Sequence, residues 1–400
     1  MLSRHLVMRI RVGGSLQDQV VYQVGDSIKK FPHFKRDDKG LFGFTRGSLP
    51  MDRWDQLNNL FNQTGAKFTF GFNALIGKHK SNDSILWVGE WNSRNAYDLM
   101  KYTISKGHKI DSYELGNELC ASGVSARLDA VQYGKDLITL KKLVDELYPD
   151  PETRPAVLGP AGFYDEKWFN TFFQVTGPNV AQAITHHIYN LGPGSRSIFL
   201  GPNSTDIQDL SISIKENAPW AGPWVGESGG AYNSGGKDVS HTFADGFWYL
   251  DQLGMTATFT TRFSADKPLL VEIMASLIPH HSYQILIIMA WDCSILINMS
   301  NQTTFSVSVL NDNAPYPRNY KLKSYSYGGS EKREEYHLTP EDGNIQSDVV
   351  LLNGTPLKLT SSLEIPEMKP KYVDPSTPIT VAPDSFVYVT IKDFKAPACA

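Results

Sequence analysis

From the start of the chain to about Thr261, short apolar runs alternate with longer stretches whose apolar residues recur every three or four positions. The short runs read as strands: Val7–Val12, Lys67–Phe72, Ser112–Leu115, Ala156–Gly159, Gln182–His186, Pro223–Gly226 and Met255–Thr261. Helices fit between them. Asn92–Lys106 is opened by Asn92 or Ser93 as a cap and closed by Gly107, and Ala130–Leu147 carries its apolar residues at helical spacing. Strand–helix alternation of this kind predicts a parallel α/β sheet or barrel. The pattern supplies seven strands, whereas a closed (β/α)8 barrel has eight. Two architectures fit that count: an open seven-stranded sheet, or a barrel without its first strand.

The last hundred residues change period. Thr304–Leu310 and Ser385–Ile391 alternate apolar and polar positions, and Val349–Leu359 is interrupted by Asn353-Gly354, a hairpin signal. Proline clusters separate these runs. The expectation is an all-β module, a sandwich. The chain therefore divides into a barrel domain over 1–262, a segment 263–295, and a sandwich over 296–400. The middle segment is apolar, contains His280-His281, and has neither a clean period nor turn signals, so it reads as irregular.

Composition narrows the function classes. A net charge of −4 leaves no basic footprint for nucleic acid. Eight Trp, eighteen Tyr and twenty Phe suit a sugar-binding cleft, but a large core uses the same residues. Cys120, Cys293 and Cys399 are too few for a disulfide scaffold or a cysteine-rich metal site. Sequons at Asn62, Asn82, Asn203, Asn298, Asn301 and Asn353 point to a secretory history, although MLSRHLVMRIRVGG does not read as a signal peptide. No apolar run is long enough to span a bilayer. No phosphate-cradling glycine loop or HExxH pattern is present.

The chemistry concentrates at strand ends. In YELGNELC, Glu114 and Glu118 flank a Gly-Asn pair inside a run that otherwise reads as buried. A buried charge is costly unless something pairs with it or uses it. Glu118 ends one strand and Glu227, in PWVGE, ends another. Two carboxyl groups brought together across a barrel mouth are the usual minimum for glycoside hydrolysis, one protonated to donate and one ionised to attack or to activate water. A separation of about 5–5.5 Å implies retention, and about 6.5–9.5 Å implies inversion. Asn117 could hydrogen-bond a sugar hydroxyl, or simply end its strand. His186, His187 and Tyr189 close a further strand. A metal site there lacks a third ligand at a telling spacing; ordinary surface or core histidines are one reading, and beside two carboxylates orienting the nucleophile is the other. Tyr232, in GGAYNSGG, could line the cleft or be an ordinary loop aromatic. Trp87 and Trp91 could be a sugar platform, with core packing the simpler reading.

At these residues the sequence resembles the plant heparanase-like proteins of glycoside hydrolase family 79. The stretches that carry the resemblance are RVGGSLQDQVVY, GFNAL, EWNSRNAYDLMKYT, SYELGNEL, THHIYNLGPG, GESGGAYNSGG and APDSFVYVTIKDFKAPACA, spread over 5–259 and 296–400. The resemblance implies a (β/α)8 barrel with a β-sandwich built on it, here lacking the first barrel strand. It implies retaining hydrolysis of β-linked glucuronides without metal or cofactor, on a glucuronide-containing glycan or small glucuronide, by a monomeric protein that is secreted or associated with the cell wall or membrane. Glu118 matches the proton donor and Glu227 the nucleophile. Asn117, Ser15, His186 or His187, Tyr189 and Tyr232 match sugar-site positions, with HHIY leaving the histidine register open. Residues 260–289 depart from the family. Restoring one nucleotide after the Phe259 codon recovers the family's pattern, so a shifted frame is inferred, and resequencing the transcript tests it. The family's usual partner for Cys399 falls in that stretch, and Cys293 is a poor substitute. The competing readings are a catalytically impaired glycan-binding relative and an extracellular structural protein without a site joining Glu118 to Glu227.

Overall fold

Parallel strands laid side by side in chain order frame the first of two units. The computed structural model describes residues 9–25, 33–82, 85–193, 206–258, 272–273, 285–290, 293–308 and 332–391. The first unit comprises 1–188 with 205–228, and the second 189–204 with 229–400.

In the first unit, β1 (Arg9–Val12), β2 (Lys67–Phe72), β3 (Ser112–Leu115), β4 (Ala156–Gly162), β5 (Ala183–Ile188) and β6 (Gly222–Ser228) form a six-stranded parallel sheet in that order. Helices α1 (Met51–Thr64), α2 (Arg94–Ser105), α3 (Ala130–Leu147), α4 (Glu166–Thr176) and α5 (Asp206–Asn217) occupy the connections. Sequential parallel neighbours linked by helices are the wiring of a (β/α) barrel, here a partial one.

The four central strands are buried on both faces, as parallel sheets are, while β1 and β6 are half-buried, and the two faces differ. Phe68, Phe70 and Phe72 of β2 pack outward into an aromatic core with Trp54 and Phe61 of α1, Tyr22 and Tyr113. On the other face Thr69 shares a hydrogen bond of 2.6 Å with Ser112. The same alternation runs through β1, where Ile10 and Val12 join the core while Arg9 and Arg11 pair with carboxylates. The inner face is therefore polar. Helix ends follow the sequence. Asn92 Oδ1 accepts the Arg94 N–H at 3.1 Å, Gly107 takes a left-handed φ of 68°, and Asp129 accepts the Val131 N–H at 2.9 Å at the start of α3.

In the second unit, α6 (Phe243–Thr258) precedes an antiparallel sheet ordered Glu272–Ile273, Ile285–Ala290, Cys293–Asn298, Ser385–Thr390, Arg333–Pro340, Val350–Leu352 and Thr355–Pro356, with Lys371–Val373 also paired to Arg333–Pro340. Both faces are covered. Phe386 and Ile297 pack on Phe243 and Leu250 of α6, the Phe243 and Phe386 rings stacked at 4.5 Å. Leu296, Val387 and Val389 pack on Ile379 and Val381, from the separate pair Phe305–Val307 and Ile379–Val381. The expected hairpin is present, with Asn353 and Gly354 at φ 50° and 83° joining its strands. Buried Asn298 donates its amide to the Thr303 and Ala382 carbonyls, both at 2.7 Å, so that sequon is closed in the folded unit. Among the described residues no helix is long and apolar enough to cross a membrane.

Two expectations are corrected. Met255–Thr261 is not a seventh strand, because α6 runs through Thr258 and residues 259–261 lie outside the described residues. The threonines favour a strand, but Phe243, Phe247, Leu250 and Leu253 already commit the stretch to a helical stripe, and the Thr256 hydroxyl is satisfied within the helix by the Gln252 carbonyl at 2.9 Å. Within 263–295, read as irregular, Ile285–Ala290 pairs along its whole length with Cys293–Asn298. The ladder, and not local pattern, makes that apolar run a strand. The rest of the segment, apart from 272–273, and Cys399 lie outside the described residues.

Candidate active site

The polar inner face of the first unit converges at the C-terminal ends of β1, β3, β5 and β6. The run from Ser112 through Cys120 is buried throughout. Glu118 follows β3 in a tight turn with a left-handed φ of 53°, and its N–H donates to the Ala161 carbonyl at 2.7 Å. That carbonyl is presented by a bulge in β4, where the register shifts between Pro160 and Gly162. Gly162 is needed for the approach, since a Cβ there would sit 2.5 Å from the Cys120 sulfur. A second bulge, between Val225 and Glu227 in β6, sets Glu227 opposite His187. Bulges next to functional sites re-aim side chains, and these two aim Glu118 and Glu227 at one another. Carboxylate oxygens of the pair and a ring nitrogen of His187 lie within 4.8 Å of each other.

The neighbours of the two carboxyl groups differ. Glu118 is 8% exposed and Oε1 lies 3.0 Å from His187 Nδ1. Burial raises its pKa, with the Arg11 charge pulling the other way. Burial, reinforced by Arg11, lowers His187 to about 4, so its imidazole is neutral and shares one proton with Glu118. Glu227 is more open, its side chain 31% exposed, and Oε2 accepts from Arg11 Nη1 at 3.1 Å. Arg11 also donates from Nη2 to Asn117 Oδ1 at 2.9 Å and from Nε to Glu114, which is fully buried. Burial alone would lower the guanidinium pKa, but Glu114 and Glu227 outweigh it and raise it. Asp18 accepts the Ala74 N–H through Oδ1 and the Asn117 N–H through Oδ2, both at 2.8 Å.

The structure thus brings together Glu118, Glu227, Asn117 and His187. Of the two histidines it sets His187 beside the carboxylates, because adjacent strand residues face opposite ways. His186 Nδ1 meets the Trp224 carbonyl at 3.0 Å, away from the carboxylates. Ser15 is exposed at the head of the short turn Ser15–Gln19 that carries Asp18, and among the described residues it makes no hydrogen bond to the pair. Tyr189 and Tyr232 belong to the second unit, where the Tyr232 N–H donates to the Gly192 carbonyl at 3.0 Å and Gly229 passes close beneath the Tyr189 ring. Trp91 is core, its Nε1 donating to the Asn73 carbonyl at 2.8 Å. Sequence reasoning missed Arg11 and Asp18. The signal for Arg11 was the RIRV alternation of β1, which sets two arginines on the face opposite the isoleucine.

Among the described residues, Glu118, His187 and Glu227 are also the group whose donor atoms could share a metal ion. Arg11 already holds a positive charge against them, which disfavours a cation. The arrangement suits two-carboxylate chemistry better. Beside the Asp18 turn lies a cleft of about 730 Å³, walled by Leu75 and Trp87 and fringed by Lys35, Lys39, Arg46 and Lys80. Among the described residues none of these four cations has a carboxylate partner.

Comparison with known proteins agrees with this geometry. The sequence pattern of the glycosyl hydrolase family 79 N-terminal domain matches residues 3–254. The chain is 39% identical over 454 aligned positions to heparanase-like protein 2 of Arabidopsis thaliana, covering 98% of this chain and 84% of that protein. It is 32% identical to baicalin-beta-D-glucuronidase of Scutellaria baicalensis, covering 96% of this chain and 80% of the relative. Among solved structures, a family 44 xyloglucanase from Paenibacillus polymyxa superposes with a TM-score of 0.55 at 10% identity, over 96% of this chain and 93% of the other, which shows a shared fold. With its strand-end carboxylates in place, a family match over 3–254 and relatives aligned along nearly its whole length, this chain belongs to glycosyl hydrolase family 79 and is a glycoside hydrolase of the heparanase and glucuronidase kind.

Proposed function

We propose that the chain is a retaining β-glucuronidase in which Glu118 is the acid/base and Glu227 the nucleophile. One observation carries the reading: one oxygen of each carboxylate lies within 4.8 Å of an oxygen of the other, in unlike surroundings. That spacing suits direct attack on the sugar better than the gap of about 6.5–9.5 Å that leaves room for an intervening water. Glu118, raised by burial, holds the proton that the glycosidic oxygen takes as it leaves. Glu227, oriented by Arg11, attacks the anomeric carbon to form a glycosyl-enzyme ester. Glu118, now ionised, then takes a proton from the water that opens the ester, and the anomeric configuration is restored. Neutral His187 orients Glu118 through both steps. The glucuronide preference draws support from the baicalin-beta-D-glucuronidase relative, and the cationic cleft suits a glycan with further acidic sugars.

The test is release of p-nitrophenol from its β-D-glucuronide by the full chain, with the anomer first formed read by proton NMR. Release is expected, with the β-anomer appearing first and Glu227→Gln lowering turnover at least about a thousandfold. Release that survives Glu227→Gln removes the nucleophile assignment, and first appearance of the α-anomer removes retention. A folded chain that binds glycan without turnover is the impaired relative instead.

A further inference from the structure

Asp18 is a buried carboxylate with an unusual task. It is 3% exposed, and each of its oxygens accepts one backbone N–H. Ala74 lies just past β2 and Asn117 just past β3, so one side chain joins the ends of two neighbouring strands. An asparagine could not replace it, because its amide would turn a second donor toward one of the two N–H groups. Burial pushes the Asp18 pKa up to about 7, against the pull of the two N–H groups and of Arg11 on β1. Glu114 on β3 adds to the upward shift, and the Tyr22 and Tyr133 phenols also feel its charge. So costly a group needs a return beyond two satisfied amides.

The next residue supplies one. Glu118 holds a left-handed φ of 53°, which a residue with a Cβ keeps only where its surroundings over-determine it. Two consecutive N–H groups are pinned there, that of Asn117 by Asp18 and that of Glu118 by the Ala161 carbonyl. From this we infer that Asp18 is a positioning residue for the general acid: its carboxylate clamps the Gly116–Asn117 peptide at the entry to the strained turn that aims Glu118 at Glu227. The inference rests on the acid/base assignment of Glu118 above.

Asp18→Asn keeps the volume and removes one acceptor. Its effect is read with aryl β-D-glucuronides of graded leaving-group acidity. A misaimed acid penalises only leaving groups that need a proton. With a phenyl glucuronide kcat/KM falls about 10- to 100-fold, the worth of a hydrogen bond to a charged group, while the 2,4-dinitrophenyl glucuronide stays within about threefold of the unsubstituted chain. Glu118→Gln shows the same split, enlarged. An equal loss across the series, or no loss, overturns the inference. A full chain without turnover on any glucuronide would count against the functional reading alone, and amide hydrogen exchange then decides the clamp. Protection of the Asn117 or Ala74 N–H should drop about tenfold or more in Asp18→Asn, and unchanged protection at both overturns it. Should that variant not fold, acidifying the unsubstituted chain gives the same readout, because protonation turns one Asp18 oxygen into a hydroxyl, a much weaker acceptor for its N–H. Protection of both amides through that titration also overturns it.

Discussion

The ion pair between Arg11 and Glu114 gives the sharpest test of how the inner face is held together. Glu114 is fully buried, and its Oε1 has no hydrogen-bond partner among the described residues, so its compensation comes from Arg11. Arg11 is shared, donating also to Glu227 and Asn117. Arg11→Met should therefore strand a buried charge and cost about 3–5 kcal/mol of stability. Glu114→Gln removes that charge and leaves Arg11 two acceptors, so its cost should be smaller, about 1–3 kcal/mol. In the double variant nothing is stranded, and its loss should fall short of the sum of the single losses by a coupling of about 1–3 kcal/mol. Urea denaturation followed by tryptophan fluorescence, on all four members of the cycle at one pH and salt concentration, measures the coupling from midpoints at a common slope. Additivity to within about 0.5 kcal/mol would refute the reasoning. It would mean that Glu114 finds its compensation elsewhere and that Arg11 serves Glu227 alone.

Three further outcomes follow from contacts elsewhere in the protein. His186 and His187 are held by burial at about 4, below the ordinary value of 6.5, so their contribution to stability is present above pH 6.5 and lost as pH falls toward 4. His186→Asn should flatten that part of the melting-temperature profile, and a parallel profile contradicts the assignment. Phe386→Ala removes the ring stacked on Phe243 and should cost the second unit about 3–5 kcal/mol by thermal denaturation; a loss under about 1 kcal/mol would mean that α6 and the sheet do not depend on that contact. Lys39→Ala with Lys80→Ala should raise KM for an acidic oligosaccharide several-fold at low salt and leave p-nitrophenyl glucuronide unchanged. Equal effects on both substrates would take the cleft out of substrate binding.

Much of the first unit was legible because each β2-type run obeys two rules at once. Phe68, Phe70 and Phe72 announce a strand by their spacing, and the helical pattern of Ala130–Leu147 before the next run announces the crossover. Glu118 and Glu227 were legible for a simpler reason: a carboxylate at the end of an apolar strand has few uses. What escaped was whatever depends on a partner distant in sequence. RIRV reads as a short basic strand, and only the sheet shows that Arg11 meets Glu114 and Glu227, 103 and 216 residues away. Asp18 looks like a loop polar residue until Asn117, 99 residues on, donates to it. Met255–Thr258 failed in the opposite sense, because β-favouring threonines were absorbed by a helix already fixed by Phe243, Phe247 and Leu250.

The same division explains where the regular pattern breaks. Periodicity places residues on a face but cannot bring side chains from β3 and β6 to a common point, because two intervening strands separate them in the sheet. Three local departures close that distance: the left-handed turn at Glu118, the β4 bulge that offers the Ala161 carbonyl, and the β6 bulge that sets Glu227 opposite His187. Each costs regular ladder bonds or backbone strain; the first two meet at the Glu118 N–H and the third places Glu227. A sheet shaped by stability alone would have no reason to collect three such departures at one end. Their convergence around Glu118 and Glu227, with Arg11, Asp18 and His187 bracing the pair, is what a fold tolerates when the arrangement of two carboxyl groups matters more than the regularity of its strands.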